Sequence, residues 1–284
     1  MYTTLISVAE LQALPAAQRL VFDCSFDLAN PAAGLAQFEQ QHIAGAQHAD
    51  LDQHLSTHDD ALRVNGGRHP LPQRDVVVHW LRSVGVRNDS QVVIYDRNGM
   101  NYCGRLWWML KWCGHEAVAV LDGGLQAWVA AGGAVESGAA ATRGESSNFS
   151  LREPLVQLVD TQTVAANLGN AQQTLIDARG APRYRGEVEP LDPVAGHIPG
   201  ALNRPFNSNL NADGFFKSPE QLRQEFAALL GERSASSVVH HCGSGVSAVP
   251  NVLAMQVAGL GHTALYAGSW SEWCRTAGLP CEKG

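Results

Sequence analysis

Short apolar runs of four or five residues alternate along the chain with stretches whose apolar positions recur at helical spacing. Val92 to Tyr95, Gly104 to Trp112 and Ala117 to Leu121 make one strand, helix, strand passage, and that alternation predicts an α/β fold built on a mostly parallel sheet. The pattern also repeats. Leu20-Val21-Phe22-Asp23-Cys24 returns as Thr174-Leu175-Ile176-Asp177-Ala178, and His42-Ile43-Ala44-Gly45-Ala46 returns as His197-Ile198-Pro199-Gly200-Ala201, at an offset of 154 or 155 residues. Val92 to Asp96 returns as Val238 to Cys242, and Leu121 to Trp128 as Tyr266 to Trp273, at 145 or 146. A constant order with a shortened offset predicts two copies of one unit, the first carrying about nine extra residues within the His54 to Pro72 region. Residues 1–136 form the expected first domain, 154–284 the second, and the small, polar, aperiodic stretch 137–153 the linker.

Composition narrows the class. The 284 residues are 45% hydrophobic and 17% charged, which excludes a disordered or low-complexity chain. Twenty Lys and Arg against 27 Asp and Glu leave a net charge of −7 with no basic block, so neither nucleic acid nor a membrane surface is an expected partner. No apolar run approaches the roughly 18 residues that span a bilayer, and the start lacks the pattern of an export signal. Six scattered cysteines without a CxxC pair suit reduced thiols in the cytoplasm better than disulfides or zinc.

One cysteine stands apart. Ser237 to Met255 reads as strand, loop and helix, with Cys242 at the strand end and Gly243, Ser244, Gly245, Val246 and Ser247 in the loop. Ligands of open α/β sheets bind beyond the carboxyl ends of strands, and a small-residue loop lets successive amides converge on an anion. Such groups favour thiolate over thiol and would also hold a persulfide. The reading requires a sulfur that a donor can reach. The other five cysteines are expected to be small buried hydrophobes. The first copy has Asp96 at the matching position, which predicts one active and one scaffolding domain.

The tandem His-Ile-x-Gly-Ala units, the Leu121 to Trp128 and Tyr266 to Trp273 stretches, and Cys242 to Ala248 resemble the two-domain rhodanese superfamily over nearly the whole chain. The resemblance implies two rhodanese-like domains, each a mostly parallel sheet flanked by helices, and sulfur transfer as the activity. The Cys-Gly-Ser-Gly-Val loop is similar to that of 3-mercaptopyruvate sulfurtransferases, whereas thiosulfate sulfurtransferases carry cations there, as in CRKGVT. Gly243 and Ser244 supply only N–H and hydroxyl groups, suited to a donor less charged than thiosulfate.

Arg183, in Pro182-Arg183-Tyr184, matches the family's substrate arginine; Arg179 is a further candidate for a donor carboxylate but reads first as a structural partner of an Asp or Glu. A second family arginine falls at Leu191. The resemblance also implies a Ser-His-Asp set, here Ser244, His69 and Asp52, spanning both domains, with His69 moving protons if a carboxylate orients it. His240 and His241 point to opposite faces of a strand and cannot chelate one ion together. His42 and His197 recur in both copies and read as packing features, as do Trp107, Trp108 and Trp112, while Trp270 could wall a pocket. A cysteine phosphatase would need arginine at position 248, where Ala248 stands.

The expected function is transfer of sulfur from 3-mercaptopyruvate through a Cys242 persulfide to a thiol or cyanide, with no metal or organic cofactor. The expected acceptor is thioredoxin or another small thiol. Thiosulfate as donor, and a non-turnover carrier docked to a partner protein, are the alternatives.

Overall fold

A computed structural model describes residues 1–140 and 147–284. Part of the predicted linker, residues 141–146, lies outside the described residues. The chain divides into two compact units. The first holds Met1–Leu62, Pro72–Leu155 and Ala212–Phe215; the second holds Arg63–Leu71, Val156–Asn211 and Phe216–Gly284. The expected boundaries put Arg63–Leu71 with the first copy, whereas the structure groups it with the second, a placement set by packing and not by chain order. Residues 147–155 are likewise not loose chain. Phe149 is buried, and the Arg152 and Leu155 amides donate to the carbonyls of Cys113 and Lys111 in the first unit.

In the first unit the strands are β1 (Leu5–Ile6), β2 (Arg19–Asp23), β3 (His42–Ile43), β4 (Gln47–His48), β5 (Gln91–Tyr95), β6 (Val118–Leu121) and β7 (Val135–Glu136). Five of them make a parallel sheet in the order β1-β6-β5-β2-β4, while β3 and β7 pair antiparallel. The second unit has β8 (Gln157–Val159), β9 (Thr174–Asp177), β10 (Leu202–Asn203), β11 (Val238–His241) and β12 (Ala264–Tyr266). They form a parallel sheet in the order β10-β9-β11-β12-β8. This is the first sheet's order, strand for strand. The central strands β5 and β11 are buried along their whole length, as parallel strands covered by helices on both faces must be.

The repeated landmarks do the same jobs twice. The His42 ring stacks on Phe38 at 3.8 Å and its Nδ1 lies 2.7 Å from the Phe38 carbonyl oxygen. His197 stacks on Tyr184 at 3.9 Å with Nδ1 2.8 Å from the Tyr184 carbonyl. Trp128 and Trp273 are buried and donate from Nε1 to the carbonyls of Ala134 and Pro280 at 2.9 and 2.8 Å. Each ring sits where the chain returns to its unit, so the indole closes the core and its one polar atom finds a carbonyl. Trp107 and Trp108 are fully buried core residues.

The loop after β5 shows what this strand end binds. The Asp96 carboxylate accepts from the Asn98 and Met100 amides at 2.9 and 2.8 Å on Oδ1, and from the Tyr102 and Cys103 amides at 2.8 and 2.9 Å on Oδ2. Four main-chain donors thus converge on one buried carboxyl group supplied by the chain itself; burial pushes that group above the ordinary carboxylate value, and the four amides pull it back. Asp96→Asn turns an acceptor oxygen into an NH₂ group facing two donors. It should lower the stability of the first unit by at least about 2 kcal/mol, read as an earlier urea midpoint; an unchanged midpoint would show that the amides do not depend on the charge.

Candidate active site

The second unit builds the same strand end around a cysteine. β11 runs between β9 and β12, its register pairs His241 with Asp177, and Cys242 follows at the carboxyl edge. The next element of the sheet then fixes the loop. The Trp270 and Ser271 amides at the start of the helix Ser269–Trp273 donate to the carbonyls of Cys242 and Gly243 at 3.0 and 2.9 Å. Ser269 Oγ accepts the Cys242 amide at 3.1 Å and donates to the Tyr266 carbonyl at 2.9 Å. Ser269 has φ +54°, and the residue in the matching place of the first unit, Gly124, has φ +59°. A serine in the left-handed region carries strain of order 1 kcal/mol or more, offset here by a hydroxyl that locks the cysteine's backbone. The signal for Ser269 was present in the repeat, where Gly-Gly became Gly-Ser, but a periodicity argument attaches no chemistry to it.

Beyond Cys242 the amides of Gly243, Ser244, Val246, Ser247 and Ala248 donate to no carbonyl or side chain among the described residues. Gly245 makes the turn. Its φ is +73°, and a Cβ there would lie 2.3 Å from the Ala267 carbonyl oxygen, so no other residue fits. Val246 is buried behind the loop, and Ser247 is partly exposed. Cys242 itself is 2% exposed, a narrower access than an open strand-end thiol was expected to have. All six cysteines are free; Cys24, Cys103 and Cys113 are buried as expected, but Cys281 is exposed and Cys274 partly so.

Two predicted residues meet although 175 positions separate them: His69 Nδ1 lies 2.7 Å from Ser244 Oγ, and both side chains are buried within the second unit. Asp52 belongs to the first unit. There its amide donates to Asp50 Oδ1 at 2.9 Å, and burial together with the Asp50 charge raises its carboxyl above the ordinary value against the opposing pull of His58.

The arginines divide by their partners. Arg179 is buried between carboxylates. Its guanidinium binds the Asp177 carboxylate from Nε at 3.1 and 3.0 Å and from Nη2 at 2.6 Å, reaches Glu189 and the Gly196 carbonyl, and lies over the Trp270 ring at 4.8 Å. The pairing follows from the strand end, because Asp177 is wholly buried and needs a cation to remain charged. Trp270 is therefore the floor beneath Arg179, with Nε1 held by the Val194 carbonyl. Arg183 is braced on Glu189 at 2.6 Å and is partly exposed. A Cβ on Gly243 would lie 3.6 Å from its Nη1 and 3.0 Å from Nη2 of Arg68, a residue that sequence reasoning missed. The loop was expected to present only N–H and hydroxyl groups; two guanidinium groups stand over Gly243 as well.

His240 and His241 are fully buried, with His240 Nε2 3.2 Å from the Met255 sulfur, and desolvation pushes His240 down to about 3.

A repeated parallel α/β unit whose second copy closes an anion-seeking loop around one cysteine defines a class of cysteine-dependent group-transfer proteins. The profile of the rhodanese-like domain matches residues 7–131 and 160–276, and the chain belongs to the rhodanese family. It is 45% identical over 266 residues to a probable 3-mercaptopyruvate sulfurtransferase of Pseudomonas aeruginosa, covering 93% of this chain and 92% of that one. Identity to a putative thiosulfate sulfurtransferase of Mycobacterium tuberculosis is 39% over 254 residues, covering 88% and 86%. The solved 3-mercaptopyruvate sulfurtransferase from Leishmania major superposes with a TM-score of 0.80 at 31% identity, over 95% of this chain and 74% of that one.

Burial pushes the Asp177 carboxyl up, but the neighbouring His241 and Arg179 outweigh it and hold the group below the usual carboxylate range. The stability it contributes is therefore complete above the unfolded value of about 3.9 and is lost as pH falls through the lower folded value. Asp177→Asn, which leaves Arg179 short of its main partner, should cost about 3–5 kcal/mol and flatten the acid limb of stability against pH. Denaturant titrations at several pH values measure both effects.

Proposed function

We propose that this chain is a 3-mercaptopyruvate sulfurtransferase working through a Cys242 persulfide. The observation that carries the reading is the pair of matching loops. In the first unit the amides at 98, 100, 102 and 103 close on the Asp96 carboxylate, and in the second those of Gly243, Ser244, Val246, Ser247 and Ala248 donate to no carbonyl or side chain among the described residues. The same turn that satisfies a carboxylate in one copy offers its donors to a sulfur anion in the other.

The Cys242 thiolate attacks the donor sulfur. The new S–S bond forms as the C3–S bond breaks, its electron pair stays on carbon as the enolate, and the thiol proton ends on C3 to give pyruvate. A persulfide anion remains on Cys242, held by the loop amides. Ser244 and His69, 2.7 Å apart, relay that proton, and Arg183 binds the anionic end of the donor. A thiolate or cyanide then attacks the outer sulfur and returns the bonding pair to Cys242, a ping-pong course. The 45% identity to a probable 3-mercaptopyruvate sulfurtransferase supports this donor over thiosulfate. No helix among the described residues is long and apolar enough to cross a membrane. The proposed setting is the cytoplasm, with thioredoxin or another small thiol as acceptor.

Cys242→Ser should abolish thiocyanate formation from mercaptopyruvate and cyanide; turnover in that variant would end the proposal. In the same assay mercaptopyruvate should exceed thiosulfate in kcat/KM, and the reverse ranking would assign the enzyme to thiosulfate. One stoichiometric sulfur without turnover would make it a carrier. His69→Ala should lower kcat by about 100-fold or more, the usual span for a lost proton relay.

A further inference from the structure

The cation over Gly243 comes from a distant stretch of chain that is built to deliver it. In Gly66-Gly67-Arg68-His69, Gly67 has φ +90°, and a Cβ there would lie 2.7 Å from Ser271 Oγ and 2.8 Å from the Gly268 carbonyl oxygen. One on Gly66 would lie 3.1 Å from the Glu272 carboxylate. The two glycines let the segment settle on the turn that also holds the cysteine loop, and the Arg68 amide donates to Ser271 Oγ at 3.0 Å. The backbone of Arg68 is thereby pinned to Ser271, the residue whose amide fixes Gly243.

Its side chain is braced on one edge and open on the other. Nη1 pairs with Asp192 Oδ1 at 3.0 Å. The Asp192 carboxylate is wholly buried and is shared with Arg275 at 2.9 Å and Arg183 at 3.5 Å. Arg68 Nε is buried without a hydrogen-bond partner, and Nη2 is the atom 3.0 Å from the Cβ position of Gly243. Arg183 is arranged the same way, with Nε and Nη2 on Glu189 and Nη1 toward Gly243. Two guanidinium groups, each held by a carboxylate behind it, thus present N–H donors above the residue that follows the nucleophile. A planar carboxylate is the anion whose two oxygens such a pair can share.

We infer that Arg68 is a substrate-binding residue that joins Arg183 in clamping the carboxylate of the donor. The inference rests on the mercaptopyruvate reading for the identity of that carboxylate. It also accounts for Leu191. The family's second arginine is replaced there by an apolar side chain that is 40% exposed, and Arg68 brings the charge to the neighbouring Asp192 from another part of the chain. A Cβ at position 243 would press on this guanidinium at 3.0 Å and make it give way slightly, so glycine is the residue that leaves it undisturbed.

The test uses the full chain carrying Arg68→Gln or Arg68→Lys. Arg68→Gln should raise KM for mercaptopyruvate about 10- to 100-fold, the range for a lost charge-assisted hydrogen bond, with a smaller change in kcat. Arg68→Lys, a point charge without the fork, should fall between. Alkylation of Cys242, followed by peptide mass so that the exposed Cys281 does not confuse it, separates the possible failures. Iodoacetate should lose its advantage over neutral iodoacetamide in Arg68→Gln, while the iodoacetamide rate stays within about twofold. An unchanged KM with an unchanged iodoacetate rate would overturn the inference, and so would equal loss of both alkylation rates, which marks a structural residue. If the unaltered enzyme does not turn over mercaptopyruvate while Arg68→Gln still abolishes the iodoacetate preference, the donor reading falls and the anion seat at Arg68 stands.

Discussion

A central parallel strand that ends in a tight loop leaves a cluster of amides without carbonyl partners, and in a buried place those amides demand a negative charge. Each unit of this protein is organised around that demand. The strand is buried on both faces and cannot move, the helix after it is fixed by packing, and the loop between them has no hydrogen-bonding alternative within the sheet. The identity of the first residue after the strand then decides what the unit does. A carboxylate there closes the loop on itself; a thiol supplies no such pair of acceptor oxygens.

The two copies have diverged around this constraint while keeping the rest. Histidine stacked on an aromatic ring, tryptophan tied to a carbonyl where the chain returns, and one order of five parallel strands occur in both. Even the arginine under the buried strand-end aspartate is retained in kind. Arg97 serves Asp23 in the first unit at 2.9 Å, from the position that matches Gly243, and Arg179 serves Asp177 in the second at 2.6 Å, from the strand's own exit. Moving that arginine off the loop leaves space over Gly243 for the guanidinium of a different one.

Charge around the cysteine is handled by pairing. Asp177, Glu189 and Asp192 lie nearly or wholly buried, and Arg68, Arg179, Arg183 and Arg275 surround them. Carboxylates at the back of such a network hold long cationic side chains in one geometry, so that less conformational freedom is lost when an anion binds in front. This is how a loop of glycine and serine comes to have a cationic roof without a cation in its own sequence.

The duplication, the parallel α/β class and the cysteine loop were legible in the chain because each is written in short-range pattern: apolar spacing, repeated landmarks and small residues after a strand; the turn at Gly245 needed the approach of Ala267 to be seen. The His69 and Ser244 pairing came from family resemblance, and the structure gave it a distance. How deeply each arginine is drawn into an ion pair became definite only in three dimensions. Arg179 and Arg183 look alike four residues apart, yet one is swallowed by Asp177 and the other is left at the surface. Arg68 looked like part of a loop in the first copy until packing on Ser271 carried it into the second. Ion pairing is a property of positions in space, and a chain's order says little about which charges its folding will bring within 3 Å.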